Sequence, residues 1–331
     1  MKVLIVRFSS IGDIVLTTPV IRCLKSQIPN VEIHYLTKAS FKIILENNPH
    51  INRLWTINKS IDEVVSALKK EKFDYLIDLH HNVRTLSLKW KLGVKAYSFD
   101  KLNVQKWKLV KFQTPMKYVG HVVDRYMETV KALGVQNDHL PCDYVIPETD
   151  EIELRFYGLE PENYIAVAIG AQFETKQLPV SKLIEVLKDQ ELPIVILGGK
   201  QDEARVAEIA AVIPCIDMTG KLNLNSSAYV AKNAAVLLTN DTGLMHIAAC
   251  FEGARIVSVW GNTVPEFGMY AYMPQHKDHY SIHEVKGLDC RPCSKIGFHE
   301  CPKGHFKCMM KQDTNEIANA IRRFIRERKA E

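Results

Sequence analysis

The chain has 331 residues, 47% of them hydrophobic, which suits two packed domains of about 150 residues each. Its net charge of +5 fits anionic ligands or a membrane surface, and with no RNA- or DNA-binding module in the sequence nucleic acid is excluded as the expected partner. No apolar run approaches the ~20 residues that a membrane span needs.

The first predicted element, KVLIVRF, reads as a fully buried strand. Met1-Lys2 runs directly into it without the pattern of a secretory signal, and Cys23, Cys142, Cys215 and Cys250 stand in apolar contexts as small buried hydrophobes. A cytoplasmic, reducing location is therefore expected. The strand leaves through SSIGDIVLTTP, where Ser10, Gly12 and Asp13 offer a tight turn and a helix cap. Thr18-Pro19 either starts a regular helix or kinks one begun at Asp13. Strand-like VEIHYLT, RLWTIN and YLIDL then alternate with helical patterns such as IDEVVSALKKE, the signature of βαβ units around a parallel sheet.

After YLIDL, residues His80, His81, Asn82 and Arg84 follow a strand end. Arg84 has the fork geometry for a carboxylate or phosphate, and a capped helix start with solvated charges accounts for the same residues. Residues 101–117 interleave Lys101, Lys106, Lys108, Lys111 and Lys117 with Trp107, Val110 and Phe112. That pattern suits an interfacial segment or an anionic lipid head, with a solvated helix face as its alternative. The alternation weakens between Pro141 and Pro161, which reads as a connection closing a first domain over residues 1–150.

A second doubly wound sheet is expected over residues 160–310, from YIAVAIG, PIVILGG, AVLLTND and RIVSVWG. In AIGAQFETKQLP, Thr175 and Lys176 precede a helix starting near Pro179, and Lys176 can meet a diphosphate as a point charge. In VLLTNDTGLMHIAAC a strand ends at Asn240-Asp241 and Thr242-Gly243 opens a helix, with His246 on the face of Thr242. Equally, Asp241 can be a simple cap and His246 a half-buried polar residue. Cys290, Cys293, Cys301 and Cys308 form a cluster whose first pair has zinc-knuckle spacing; zinc, free thiols and a labile disulfide all fit it. The closing NEIANAIRRFIRERK is an amphipathic helix with a basic outer face.

Together, GDIVLTTPVIRCLK, GAQFETKQLP, NDTGLMHIAAC and VSVWGNTVPEFG resemble, in order, the motifs of glycosyltransferase family 9, the ADP-heptose:lipopolysaccharide heptosyltransferases. The resemblance implies an α/β fold with two Rossmann-like doubly wound domains facing a cleft, the GT-B arrangement. The first domain would take the acceptor and the second the nucleotide-sugar, with the helix over residues 312–331 packing back on the first. It implies inverting, metal-independent transfer of a heptose or related sugar from ADP-heptose to the lipopolysaccharide inner core. No cofactor is implied, and no metal site. Asp13 matches the proposed general base. Lys176, with Thr175, matches the diphosphate-binding loop, and Asp241, Thr242, Gly243 and His246 match the donor-binding helix start. Asn225 stands where some members place a ribose-binding glutamate, which leaves nucleotide selectivity open. Ser10, Gly12, His81, Asn82 and Arg84 are the expected acceptor side. The expected partners are a nucleotide-sugar donor, a lipid-linked core oligosaccharide and a transient membrane contact on the inner face of the inner membrane. A non-catalytic sugar-nucleotide-binding or scaffold protein of the same fold is the alternative. A dinucleotide oxidoreductase is disfavoured, since no G-x-G-x-x-G follows a predicted strand.

Overall fold

The apolar runs become strands because helices cover both faces of the sheets they join; Val3, Leu4, Ile5 and Val6 are fully buried. The computed structural model describes residues 1–118 and 120–330. Packing divides them into two units: residues 1–103 with 120–145, and residues 104–118 with 146–330.

The first unit is built on β1 (Lys2–Val6), β2 (Glu32–Lys38), β3 (Arg53–Ile57), β4 (Tyr75–Asp78) and β5 (Lys95–Ser98), all parallel, in the order β3-β2-β1-β4-β5. After β1 a short helix, Ile11–Val15, stops, and a second, Thr18–Gln27, begins with Pro19 in its first turn. A proline there lacks only an N–H that no helical carbonyl would have met. The helix Val83–Leu92 starts on an Asn82 cap and ends at Gly93, whose φ of +65° a side chain would oppose. Asp78, at the end of β4, is completely buried. Burial alone would raise its pKa, but the His81 N–H and the Lys89 ammonium at 2.9 Å outweigh it and hold the carboxyl below its ordinary value.

The second unit holds β6 (Ile165–Ala168), β7 (Ile194–Leu197), β8 (Ile216–Asp217), β9 (Val236–Asn240), β10 (Ile256–Trp260) and β11 (Tyr280–Glu284), parallel, in the order β11-β10-β9-β6-β7-β8. The expected fold class, α/β with two doubly wound Rossmann-like sheets, is the one observed.

Two helices group with the second unit. The closing helix, Thr314–Lys329, buries Ile317, Ile321, Phe324 and Ile325 against Leu183, Val186 and Leu187 of the helix Val180–Leu187, all in the second unit's own core. Each such side chain contributes about 1.5–3 kcal/mol on burial, far more than the basic outer face can gain from exposed charge pairs. The helix therefore buries its apolar stripe within the second unit's own core. Likewise the helix Asn103–Phe112 groups with the second unit from residue 104 onward, not with the first domain; Lys106 lies 5.5 Å from the Phe267 ring. Among the described residues, no helix is long and apolar enough to cross a membrane.

Candidate active site

Ligands of open parallel sheets bind outside the carboxyl ends of the strands, where the strand order reverses. In the first unit that point lies between β1 and β4. Arg7 follows β1 and is only 7% exposed. Its guanidinium donates to the Leu79 carbonyl (2.5 Å) and the Ser9 carbonyl (2.7 Å), and its third nitrogen lies 2.6 Å from Asp13 Oδ1. Burial alone would lower the Arg7 pKa; Asp13, with Tyr126 and Tyr35 behind, holds it above its ordinary value. Ser10 grips the other carboxylate oxygen, donating from its hydroxyl (2.7 Å) and its N–H (3.2 Å) to Oδ2. Asp13 thus caps the Ile11–Val15 helix and pairs with a buried cation at once, while its side chain stays 22% exposed. Gly12 beside it is buried.

His80, just after β4, stacks edge-on against Phe8 at 5.2 Å. Its pKa is pushed down to about 3, first by burial and then by the positive charge of Arg7 and Lys101, against a smaller pull from Asp13 and Asp78. A neutral imidazole therefore stands beside the Arg7–Asp13 pair at physiological pH.

The other acceptor-side residues divide. His81 has its N–H on Asp78 Oδ1 (2.7 Å) and a ring nitrogen on the Phe99 carbonyl (2.8 Å). Asn82 is the helix cap, its Oδ1 accepting from the Thr85 N–H at 3.0 Å, so for Asn82 the capping alternative is the observed one. Arg84 lies over the Phe8 ring at 5.3 Å.

In the second unit the strand order reverses between β6 and β9. Lys176 follows β6 and Asp241 follows β9, and they meet as an ion pair of 2.5 Å. Thr263, after β10, donates to the same carboxylate oxygen at 2.9 Å. Asp241 is therefore not the helix cap; Thr242 is, with φ −136° and ψ 171°, opening the helix Gly243–Ala248. His246 on that helix is 4% exposed, more deeply buried than a half-buried polar residue. Thr175 is 3% exposed, with its N–H on the Phe298 carbonyl (3.2 Å) and its hydroxyl accepting from the Phe298 N–H (2.8 Å), so it fixes the loop that carries Lys176. Asn225 is 1% exposed and donates to Asp150 Oδ2 at 2.7 Å, while Asn223 donates to Oδ1 at 2.7 Å.

Sequence reasoning missed Arg7, His80 as a neutral neighbour, Thr263 and Asp150. For Arg7 a signal was present: a charge inside a run that reads as a buried strand is rare unless it is paired. Thr263 lies in a loop and Asp150 ends a single 3-10 turn, Glu148–Asp150, and neither carries such a mark.

Comparison with known proteins agrees with this architecture. The profile of glycosyltransferase family 9 (heptosyltransferase) matches residues 61–296. Lipooligosaccharide heptosyltransferase 2 of Haemophilus influenzae is 24% identical over 305 residues, covering 81% of this chain and 85% of its own. Lipopolysaccharide heptosyltransferase 1 of Escherichia coli K12 is 25% identical over 289 residues, covering 80% and 89%. Among solved structures, a family 9 glycosyl transferase from Veillonella parvula superposes with a TM-score of 0.76 at 21% identity, covering 98% of this chain and 97% of its own. The E. coli ADP-heptose lipopolysaccharide heptosyltransferase II superposes at 0.74 and 17%, covering 99% and 100%. With both sheets and a match across most of its length, the chain belongs to glycosyltransferase family 9, the heptosyltransferases.

Proposed function

We propose that this glycosyltransferase moves a heptose from ADP-heptose to the inner core of lipopolysaccharide with inversion at the anomeric carbon. The acceptor hydroxyl attacks that carbon, its proton passes to Asp13, and ADP leaves from the opposite face. The observation that carries the reading is the Arg7–Asp13–Ser10 constellation at the reversal point of the first sheet. Arg7 is pinned by two carbonyls, so it orients Asp13 while the carboxylate remains reachable. The neutral His80 adds no positive charge that would oppose proton uptake nearby.

In the second unit Lys176 holds the diphosphate. An ammonium has three donors, and the Asp241 contact uses one of them, which leaves two for the leaving group's oxygens. Thr242, Gly243 and His246 line the donor side. Asn225 shapes it through Asp150. Ser10, Gly12, His81 and Arg84 form the acceptor side of the first domain, and the second domain takes the donor.

The acceptor's lipid anchor implies brief contact with the inner face of the cytoplasmic membrane. Two exposed apolar surfaces support it. On the helix Val83–Leu92, Val83, Leu86 and Trp90 share one face and are 84%, 62% and 83% exposed. The helix Asn103–Phe112 has no buried residue and carries Trp107 and Phe112 among Lys106, Lys108 and Lys111. Such composition suits an anionic lipid surface.

The test is ADP release from ADP-heptose by the purified protein, with and without an inner-core acceptor that lacks heptose. Release that depends on the acceptor, with a heptose added to it, is expected. Tight ADP binding without transfer to any core acceptor would favour the scaffold alternative.

A further inference from the structure

Asp78 ends β4 at the reversal point of the first sheet and is completely buried, and the transfer itself makes no use of it. A buried carboxylate is costly unless hydrogen bonds and a counter-charge offset its desolvation. Asp78 directs its bonds at one turn. Oδ1 accepts the N–H of His80 (3.1 Å) and the N–H of His81 (2.7 Å). Oδ2 faces the Lys89 ammonium at 2.9 Å and accepts from the Ser98 hydroxyl at 3.4 Å, while Lys89 also donates to Ser98 Oγ at 2.8 Å.

The turn it holds is strained. His81 has φ +48°, the left-handed region that a residue with a Cβ enters at a cost. Two more bonds keep it there: a His81 ring nitrogen meets the Phe99 carbonyl at 2.8 Å, and the Phe99 N–H donates to the Asp78 carbonyl at 3.2 Å. The helix Val83–Leu92 starts directly afterwards and carries Lys89 in its last turn, so the Lys89–Asp78 pair ties the turn to the far end of that helix. Strain of this kind persists only where the surroundings over-determine it, and it clusters at functional sites.

The turn delivers an aimed carbonyl. The Leu79 carbonyl and the His80 N–H belong to one planar peptide group. Its N–H goes to Asp78, and its carbonyl accepts from Arg7 Nη1 at 2.5 Å. Turning that plane away from Asp78 would carry the carbonyl off the guanidinium. The Leu79 N–H, on the preceding peptide, is fixed to the Val6 carbonyl of β1 at 3.1 Å. Arg7 Nη2 in turn meets Asp13 Oδ1 at 2.6 Å. The same turn sets the His80 ring against Phe8.

We propose that Asp78 is a positioning residue for the transfer: through the Leu79–His80 peptide it fixes Arg7, and through Arg7 it aims the Asp13 carboxylate, with Lys89 as its counter-ion. Asp78 acts at two removes from the reacting atoms and touches no substrate. The inference rests on the reading of Asp13 as the base.

A double-mutant cycle on turnover of the full chain, with ADP-heptose and an inner-core acceptor that lacks heptose, tests it. Asp78→Ala should lower turnover about 10- to 100-fold, the cost of a catalytic group displaced by about an ångström, with the Kd for ADP unchanged by calorimetry. Asp78→Asn keeps an oxygen for both N–H groups but sets an NH₂ against Lys89, so it should lose turnover several-fold and retain more than Asp78→Ala. In the Asp13→Asn background either substitution should cost less than about twofold, because the group it aims has lost its function. Thermal melts show which variants fold, and if Asp78→Ala does not, Asp78→Asn carries the same cycle. An equal fold-loss in both backgrounds overturns the positioning role, since a general structural defect multiplies whether or not the base is present. Wild-type turnover in a folded Asp78 variant overturns it too. Asp13→Asn with more than about a tenth of wild-type turnover overturns the base reading and this inference with it, and that result is read from the single variant, apart from the cycle.

Discussion

The two sheets reverse strand order at equivalent points, and each point holds an ion pair, but the pairs are built in opposite senses. In the first unit the cation is the anchor: Arg7 is pinned by two backbone carbonyls and its partner Asp13 is the more exposed member. In the second unit the carboxylate is the anchor, since Asp241 takes a second bond from Thr263 and is less exposed than Lys176. One topology thus presents an oriented carboxylate at one sheet and an oriented ammonium at the other. A carboxylate suits proton uptake from an acceptor, and an ammonium suits a diphosphate. The backbone supplies the crevice, and the side chain anchored deeper decides its chemistry.

Breaking the pairs separately should give different defects. The largest is expected from Asp13→Asn, which keeps size and some capping but removes the base. A positioned general base is worth about 10²–10⁴-fold, so steady-state turnover should fall by that order; a variant retaining more than about a tenth of wild-type turnover would reduce Asp13 to a helix cap. Lys176→Ala comes next. Loss of charge-assisted bonds costs about 1.5–3 kcal/mol, so the Kd for ADP should rise at least about tenfold, and an unchanged value by calorimetry would remove Lys176 from the donor site. Asp241→Asn should act more mildly, by about 0.5–1.5 kcal/mol in ADP affinity, because it loosens the placement of Lys176 and leaves the ammonium in place.

The last effect concerns pH and is read on stability rather than on activity. His80 binds its proton near pH 3 when folded and near pH 6.5 when unfolded, so between those values the unfolded chain binds more protons. Stability from keeping His80 neutral is full above the unfolded value and is lost as pH falls toward the folded one. Urea midpoints of His80→Gln should therefore decline less steeply than wild type from pH 6.5 to pH 4. Parallel declines would mean that His80 does not titrate as an isolated buried group.

Both sheets are legible in the sequence because runs such as KVLIVRF and AVLLTND are apolar on both faces, and helical patterns separate them. Asp13, Lys176 and Asp241 are legible because polar residues in the segments that follow strands occupy the crevice end of any open sheet. Their pairing is not, since residues 176 and 241 are brought together only by the crossover from β6 to β9. The closing helix shows a different limit of the same kind: periodicity reveals that Ile317, Ile321 and Phe324 are buried, but not which core receives them. The helix Asn103–Phe112 has no apolar stripe to assign, so its grouping with the second unit depends on contacts that no pattern encodes.

The division of labour between the two sheets is tested most directly by measuring ADP affinity of Asp13→Asn and Lys176→Ala side by side, with turnover of each. The prediction is an unchanged Kd with turnover largely lost for Asp13→Asn, and a Kd raised at least about tenfold for Lys176→Ala. A weakened ADP affinity in Asp13→Asn with Lys176→Ala unaffected would contradict the account, because the carboxylate would then serve the nucleotide and the ammonium would not.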